Sequence, residues 1–174
     1  MVTRREYDIA GNVVAMQDGR GKWTTIGYED RWDIQANAAG TSGSSTFAYP
    51  TSVTNPLGHT SYTRYDFGTG LVVQQQDANG VQAELRYEDD LDRLTSVVRA
   101  ANVDTERART RYAYDDGNRR VTTSSDLTYF GDGLLQSVNA YDRLGRLVRT
   151  EQSEDSGVIV VDLHYDGLVR LVQV

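Results

Sequence analysis

The sequence predicts an all-β fold: antiparallel β-hairpins repeated along the chain, forming a curved or spiralling sheet open at both ends. The first supporting observation is a tyrosine followed by an acidic residue at Tyr7-Asp8, Tyr28-Glu29, Tyr65-Asp66, Tyr87-Glu88, Tyr114-Asp115, Tyr141-Asp142 and Tyr165-Asp166. The intervals are 21, 37, 22, 27, 27 and 24 residues, and self-similarity at a period of this size marks a repeat array. The second is turn chemistry, with Gly11 and Gly145 three positions beyond Asp8 and Asp142. An Asp at the head of a turn accepts hydrogen bonds from backbone N–H groups two residues on, and the glycine takes the positive φ that tight turns require. The third is an alternation of period two: Val81, Ala83, Leu85 and Tyr87 alternate with Gln82, Glu84, Arg86 and Glu88. That pattern puts apolar side chains on one face of a strand and polar ones on the other, with the repeat tyrosine closing the buried face.

The elements follow in order. The first unit is a hairpin: a turn at Asp8 to Gly11, strand Asn12 to Gln17, a turn at Asp18 to Gly21, and strand Lys22 to Tyr28. The next unit carries Trp32 where the glycine should stand, and Asn37 to Ser45 is rich in Gly, Ser, Thr and Ala, a long loop or linker. Tyr49-Pro50 then takes the place of a Tyr-Asp pair and divides the long interval. Strands are expected at Thr51 to Thr54, Thr60 to Tyr65, Leu71 to Gln76 and Val81 to Glu88, with turns at Asn55 to Gly58, Asp66 to Gly70 and Asp77 to Gly80. The last of these contains Asn79-Gly80, a strong hairpin signal. Asp92 occupies a glycine position, which Asp tolerates in left-handed geometry.

Strand Arg93 to Arg99 precedes a hairpin loop at Ala100 to Ala108. Ala101 to Arg111 could be scored as a short helix but is flanked by strand patterns and carries no apolar stripe at helical spacing. Strands Arg109 to Asp115 and Arg119 to Ser124 flank a turn at Gly117-Asn118, and a glycine-rich turn at Tyr129 to Gly133 leads to strand Leu134 to Tyr141. Strands Arg146 to Gln152 and Val158 to Tyr165 follow, and Asp166 to Val172 begins another unit.

Composition narrows the functional classes. A chain of 174 residues, 25% charged and 39% hydrophobic, is the size and make-up of one globular domain able to bury a core, or of a slice of something larger. Eleven tyrosines and sixteen glycines against two prolines favour strands and turns. A net charge of -7 argues against a surface that tracks nucleic-acid phosphates. The absence of cysteine removes disulfides, thiolate metal sites and cysteine nucleophiles. No apolar run approaches the roughly 20 residues of a membrane span. Met1 to Ala15 lacks the plan of a signal peptide, and no Asn stands in a glycosylation sequon.

The repeating unit resembles that of the YD-repeat, or RHS-repeat, proteins, whose unit runs Tyr-Asp-x-x-Gly-Arg-Leu, a strand, a glycine turn and a returning strand. Tyr141 to Leu147 is the fullest match, followed by Tyr7 to Val13 and Tyr114 to Val121, while Tyr87 to Leu94 and Tyr165 to Leu171 keep the Leu-x-Arg-Leu tail without the glycine. The repeat-defining residues are therefore Tyr7, Asp8, Gly11, Tyr65, Asp66, Tyr87, Tyr114, Asp115, Tyr141, Asp142, Gly145, Tyr165 and Asp166. The resemblance implies the spiralling β-shells of bacterial RHS toxins, toxin-complex proteins and teneurins, which enclose a C-terminal cargo and in some members bind carbohydrate. It further implies that residues 1–174 form a single array within a larger protein, at a cell surface or outside the cell, with flanking repeats or cargo as partners. The family's self-cleavage motif is absent, so neither autoproteolysis nor a toxin domain follows.

No catalytic constellation emerges. His59 and His164, the two histidines, sit beside turn and strand residues that the repeat already explains. Gly40 to Ser44 departs from a nucleophile elbow by one position, and Gly68-Thr69-Gly70 lacks the third glycine of a dinucleotide loop. The acidic groups Glu88-Asp89-Asp90-Asp92 and Asp115-Asp116 read first as turn caps and second as calcium ligands. Trp23 and Trp32 are candidate sugar-stacking aromatics, though Trp32 reads first as a plug for the missing glycine turn. The expectation is a non-catalytic structural module without cofactor or metal. Carbohydrate or partner binding is the alternative, and edge-to-edge self-association an added possibility.

Overall fold

A computed structural model describes residues 3–30, 46–154, 157–168 and 170–173. Among these residues there is no helix, and the strands are β1 (Arg4–Tyr7), β2 (Val13–Gln17), β3 (Trp23–Gly27), β4 (Ser52–Thr54), β5 (Thr60–Tyr65), β6 (Val72–Gln76), β7 (Gln82–Arg86), β8 (Ser96–Arg99), β9 (Ala108–Asp115), β10 (Arg120–Ser125), β11 (Leu135–Tyr141), β12 (Leu147–Glu154), β13 (Gly157–Asp162), β14 (His164–Tyr165) and β15 (Leu171–Gln173). Strands β1 to β13 form one sheet in sequence order and do not close on themselves, while β14 and β15 form a separate pair. The predicted all-β antiparallel class is therefore the observed one. Short loops keep sequence neighbours as spatial neighbours, since a tight turn can only return the chain beside itself. The chain divides into two units, Met1–Glu84 and Leu85–Val174, the boundary falling inside β7.

In the first unit a single register row runs Glu6, Ala15, Thr25, Thr54, Thr60 across five strands. Ala15, 7% exposed, is the apolar residue buried most deeply among those described. Thr51, 3% exposed, stands just before β4. Its N–H donates to the Gly27 carbonyl at 2.8 Å and its hydroxyl to the Glu29 carbonyl at 2.6 Å. A second row, Tyr62, Gln76, Gln82, is laced by amides: the Gln82 amide donates to Gln76 at 3.4 Å, and Gln74 donates to Gln82 at 3.2 Å.

In the second unit Tyr114, Val121, Asn139, Thr150 and Val161 share a row, with the Thr150 hydroxyl donating to Asn139 at 2.9 Å. Thr110, 6% exposed, pairs its hydroxyl with Ser125 at 3.0 Å.

Among the described residues no side chain is fully buried, and Met16, Val53, Ile159 and Val160 remain exposed. The expected apolar face therefore does not become a conventional core. Cover comes from cross-strand neighbours, and Thr, Ser, Gln and Asn rungs supply it alongside apolar ones, because long polar side chains bury their stems while bonding one another.

One local expectation changes and another holds. The run expected as one strand from Val158 to Tyr165 breaks at Leu163, whose N–H donates to Val148 at 2.9 Å, so that β14 pairs with β15 instead of continuing β13. The segment between Arg99 and Ala108 is a loop of successive turns, as its lack of an apolar stripe predicts. It is anchored by Val103 and Arg107 N–H groups on the Ala100 and Val103 carbonyls.

Candidate functional site

The repeat-defining residues converge on one structure, a joint between successive hairpins. Its first part is the turn. At Asp142 one carboxylate oxygen accepts the N–H groups of Leu144 (2.8 Å) and Arg146 (3.0 Å), the Asp142 N–H donates to the Arg146 carbonyl, and the Gly145 N–H returns to the Asp142 carbonyl. The same pattern of bonds closes the turns headed by Asp8, Asp18, Asn55 and Asp77. Gly145 sits at φ 77, left-handed backbone that only glycine adopts without strain. Asp92 takes the equivalent place at φ 54, as expected, donating its N–H to Asp89 at 2.9 Å. The hairpin at Asn79-Gly80 forms, but its head is Asp77 and the positive φ falls on Gly80, so it is this five-residue turn and not a two-residue one. In the Gly117-Asn118 turn the left-handed position is Arg119, at φ 54.

The second part is an arginine four residues beyond the acid. Arg146 Nε donates to the other oxygen of Asp142 at 2.6 Å, Arg170 does the same to Asp166 at 2.7 Å, and Arg93 grips Asp89 with two nitrogens at 2.7 and 2.9 Å. These bonds hold the carboxylates ionised. The Arg93 hydrogen bond is the largest influence on Asp89, which drops from 3.8 to about 2. At Asp142 and Asp166 the leading cause of a lowered pKa is the backbone N–H of the same arginine. Arg93 also takes Asp116 in a second pair of bonds at 2.7 and 2.8 Å, tying two turns 23 residues apart.

The third part is the tyrosine of the next unit. The Tyr114 hydroxyl donates to the Leu94 carbonyl at 2.8 Å and Tyr165 to Leu147 at 2.9 Å. Tyr65 donates to Pro50 at 2.9 Å, and Tyr28 reaches Val13 at 3.4 Å. Val13, Leu94 and Leu147 each stand five residues beyond the acid that heads the preceding turn. Val13 and Leu147 open β2 and β12, so Tyr28 and Tyr165 span back to the strand start that the previous turn sets, whereas Leu94 and Pro50 lie two residues ahead of β8 and β4. The arginine then lies over the ring: Arg93 is 4.1 Å from the Tyr114 centroid and Arg146 4.8 Å from that of Tyr165. Tyr7, on β1, is 57% exposed and does not close a buried face. Tyr141 at the end of β11 and Tyr87 directly after β7 are half-buried.

Sequence reasoning missed the arginine's role, reading it as the start of a strand. In the glycine-rich turn expected at Tyr129 to Gly133 it also missed two carboxylates: Asp126 accepts the N–H groups of Arg109, Gly131 and Gly133, and Asp132 those of Leu127, Thr128, Tyr129 and Leu134. At Asp132 burial pulls the carboxyl upward, but the four N–H donors outweigh it and leave it at about 2. The glycines flanking Asp132 were the signal available in the sequence.

The acidic groups are spent in the same way. Asp89 and Asp116 face Arg93, and Asp115 accepts both the backbone and side-chain nitrogens of Asn118. Among the described residues no three His, Asp or Glu side chains gather as metal ligands. Carboxylates held below the ordinary range stay charged near neutral pH and are poorly matched to general acid or base work. His59 closes the Asn55 turn through its backbone and is exposed, and His164 is exposed on β14. Trp23 opens β3, half-buried and paired in register with Gln17. Trp32, Val169 and the loop from Asn37 to Ser45 lie outside the described residues.

The sequence matches no protein-family model, and no curated protein matches it. Solved structures do. The chain is similar to one in the Photorhabdus luminescens Tc holotoxin pore, at 14% identity and a TM-score of 0.53. It is also similar to a chain of a TcdB2–TccC3 complex lacking the hypervariable C-terminal region, at 16% and 0.58. A TcdB2–TccC3–TEV complex matches at 16% and 0.57. In each case the match covers 98% of this chain and 10% of the other, so the chain spans about a tenth of their length. The similarity extends over nearly the whole hairpin array, and what it establishes is the fold.

Proposed function

We propose that this chain is a non-catalytic structural module, a stretch of β-wall of the RHS or YD-repeat kind, belonging to a surface or secreted protein. The observation that carries the reading is that the repeat's conspicuous polar groups are consumed in joining one hairpin to the next. Asp and Asn heads bind their own turns, arginines bind those heads, and tyrosine hydroxyls bind the preceding strand. Residues spent on geometry are unavailable to a substrate. Similarity to about a tenth of Tc-complex chains supports a wall segment within a longer protein, with flanking repeats or enclosed cargo as partners.

Replacing the matching stretch of a TcdB2–TccC3 chain by this one tests the reading. Retained assembly of a closed, protease-resistant particle is the expected outcome. A hydrolase or transferase activity of the purified chain that one side-chain replacement abolishes would overturn it.

A second reading rests on a different face. Trp23 is half-buried with Gln17 beside it, and Tyr62, Gln74, Gln76 and Gln82 lie on the same face of the first unit. Aromatic rings flanked by amides suit sugar rings and hydroxyls. Binding on a glycan array that disappears in Trp23→Ala is expected on this reading; signal at background ends it.

A further inference from the structure

The turn from Asp77 to Val81, which joins β6 to β7, holds the one Asn-Gly pair of the sequence, Asn79-Gly80. An asparagine loses its side-chain amide when the backbone nitrogen of the next residue attacks its Cγ, and glycine, without a Cβ, hinders that attack least. Asn79 is exposed, and its backbone N–H donates to an Asp77 carboxylate oxygen at 2.9 Å, while its side-chain amide has no partner among the described residues. The other described asparagines differ. Asn12 holds Asp8 and the Phe47 carbonyl, Asn118 holds Asp115, and Asn139 accepts the Thr150 hydroxyl. Asn55 accepts two backbone N–H groups and precedes Pro56, whose nitrogen has no proton to give up. Asn102 precedes the β-branched Val103. The aspartates that precede glycine are engaged as well: Asp18 and Asp132 by N–H groups of their own turns, Asp116 by Arg93 and Asp166 by Arg170.

We propose that Asn79 is a site of spontaneous deamidation, a covalent modification gated by opening of the turn between β6 and β7. In the closed turn the Gly80 N–H donates to the Asp77 carbonyl at 3.1 Å, so the nucleophile is occupied. When the turn opens, hydroxide takes the Gly80 amide proton and the nitrogen attacks Cγ of Asn79. The bond from that nitrogen to Cγ forms, the bond from Cγ to Nδ2 breaks, and ammonia leaves. Water then opens the cyclic imide on either side, giving aspartate or isoaspartate at position 79. The sum is amide plus water to acid plus ammonia, with no change of oxidation state.

Either product places a new negative charge near the Asp77 carboxylate, in a chain whose net charge is already -7. Isoaspartate also routes the main chain through the side-chain Cβ and so lengthens a turn whose closure depends on its spacing. The bonds at stake are Asp77 N–H to the Val81 carbonyl at 3.0 Å and Val81 N–H to the Asp77 carboxylate at 2.9 Å. The adjoining rung, Gln76 opposite Gln82 with its amide bond, is the first to lose register. The site needs only this turn and holds whether or not the chain also serves as wall.

Ageing the full chain in mildly alkaline buffer and following each asparagine by peptide mass spectrometry tests the proposal, with a protein-isoaspartate methyltransferase as the reagent for isoaspartate. Asn79 converts before any other asparagine. Asp77→Ala, which removes the head of the turn, reacts about fivefold faster, the equivalent of ~1 kcal/mol of lost hydrogen bonding. Gly80→Ala reacts more slowly than the unmodified chain even though an alanine at φ 85 strains the turn, because its Cβ shields the nitrogen. The two variants loosen the same turn and move the rate in opposite directions, which separates the chemistry from mere unfolding. An unchanged rate in Asp77→Ala, a faster rate in Gly80→Ala, earlier conversion of another asparagine, or an Asn79 that converts in urea but never in the folded chain would each overturn the assignment.

Discussion

In the unit Met1–Glu84 the repeat tyrosine Tyr65 is covered by another ring, Tyr49, stacked at 4.7 Å, whereas in Leu85–Val174 Tyr114 and Tyr165 are covered by the guanidinium groups of Arg93 and Arg146. The hydroxyl bond to the preceding strand is the same in both. The joint therefore depends on that bond, and what lies over the ring is interchangeable. Each cover brings its own requirement. The Tyr49 ring needs room, and Gly70 provides it: at φ 72 a Cβ there would collide with the Tyr49 hydroxyl. The arginine cover needs ionised carboxylates to hold it in place, as Asp89 and Asp142 do. The first unit is accordingly sensitive to sterics, and the second to protonation.

The largest effect is expected at Gly70. Gly70→Ala combines a left-handed alanine with displacement of Tyr49 and destabilises by about 2–4 kcal/mol. Gly58→Ala, at φ 81 with open space where its Cβ would stand, costs only about 1 kcal/mol. Urea denaturation compares them, and Tyr49→Phe should restore part of the Gly70→Ala loss. Equal losses at the two glycines would break the steric account.

Acid should act through the arginine-covered joint. The folded value of Asp89 lies at about 2, below its ordinary 3.8. A carboxyl lowered in the folded state contributes its stability in full above the unfolded value and loses it as pH falls through the folded one. Hydrogen-exchange protection around Tyr114, taken relative to the intrinsic rate at each pH, should therefore fall as pH drops from about 4 to 2, the window set by those two values. Asp89→Asn should already be loosened at neutral pH and show a flatter response there. An unchanged profile in the variant would remove Asp89 from the joint.

Smaller and common to both units is the hydroxyl. Tyr65→Phe, Tyr114→Phe and Tyr165→Phe should each cost about 1 kcal/mol, the usual net worth of one hydrogen bond. A loss in one unit alone would show that the joints are not equivalent. Smallest is Ala100→Gly: with Ala100 at φ 49, the change relieves left-handed strain but loosens the unfolded chain. A net stabilisation of about 0.5 kcal/mol is expected, read as a shifted urea midpoint.

Much of the fold was legible because its signals are local. The turns at Asp8 to Gly11 and Asp142 to Gly145 are closed by bonds within five residues, so Asp and Gly at fixed spacing specify them. Asp92 was readable as a left-handed position for the same reason. The candidate residues were legible as repeat-defining but not in their roles. Arg93 and Asp116 are 23 residues apart, and nothing in either segment marks the other as partner. Periodicity misled on burial: alternation at Val81 to Glu88 marks two faces, yet Gln74, Gln76 and Gln82 are half-buried through amide bonds that hydropathy does not register.

By itself the sequence determined the all-β antiparallel class, the order of the hairpins and the turns that close them, because period-two alternation and Asp-to-Gly spacing act over a few residues. The tertiary structure decided which carbonyl each repeat tyrosine holds, which cation or ring covers it, and where a strand breaks, as at Leu163. Those contacts join residues 15 to 23 apart in sequence, and they form only once two hairpins already lie side by side.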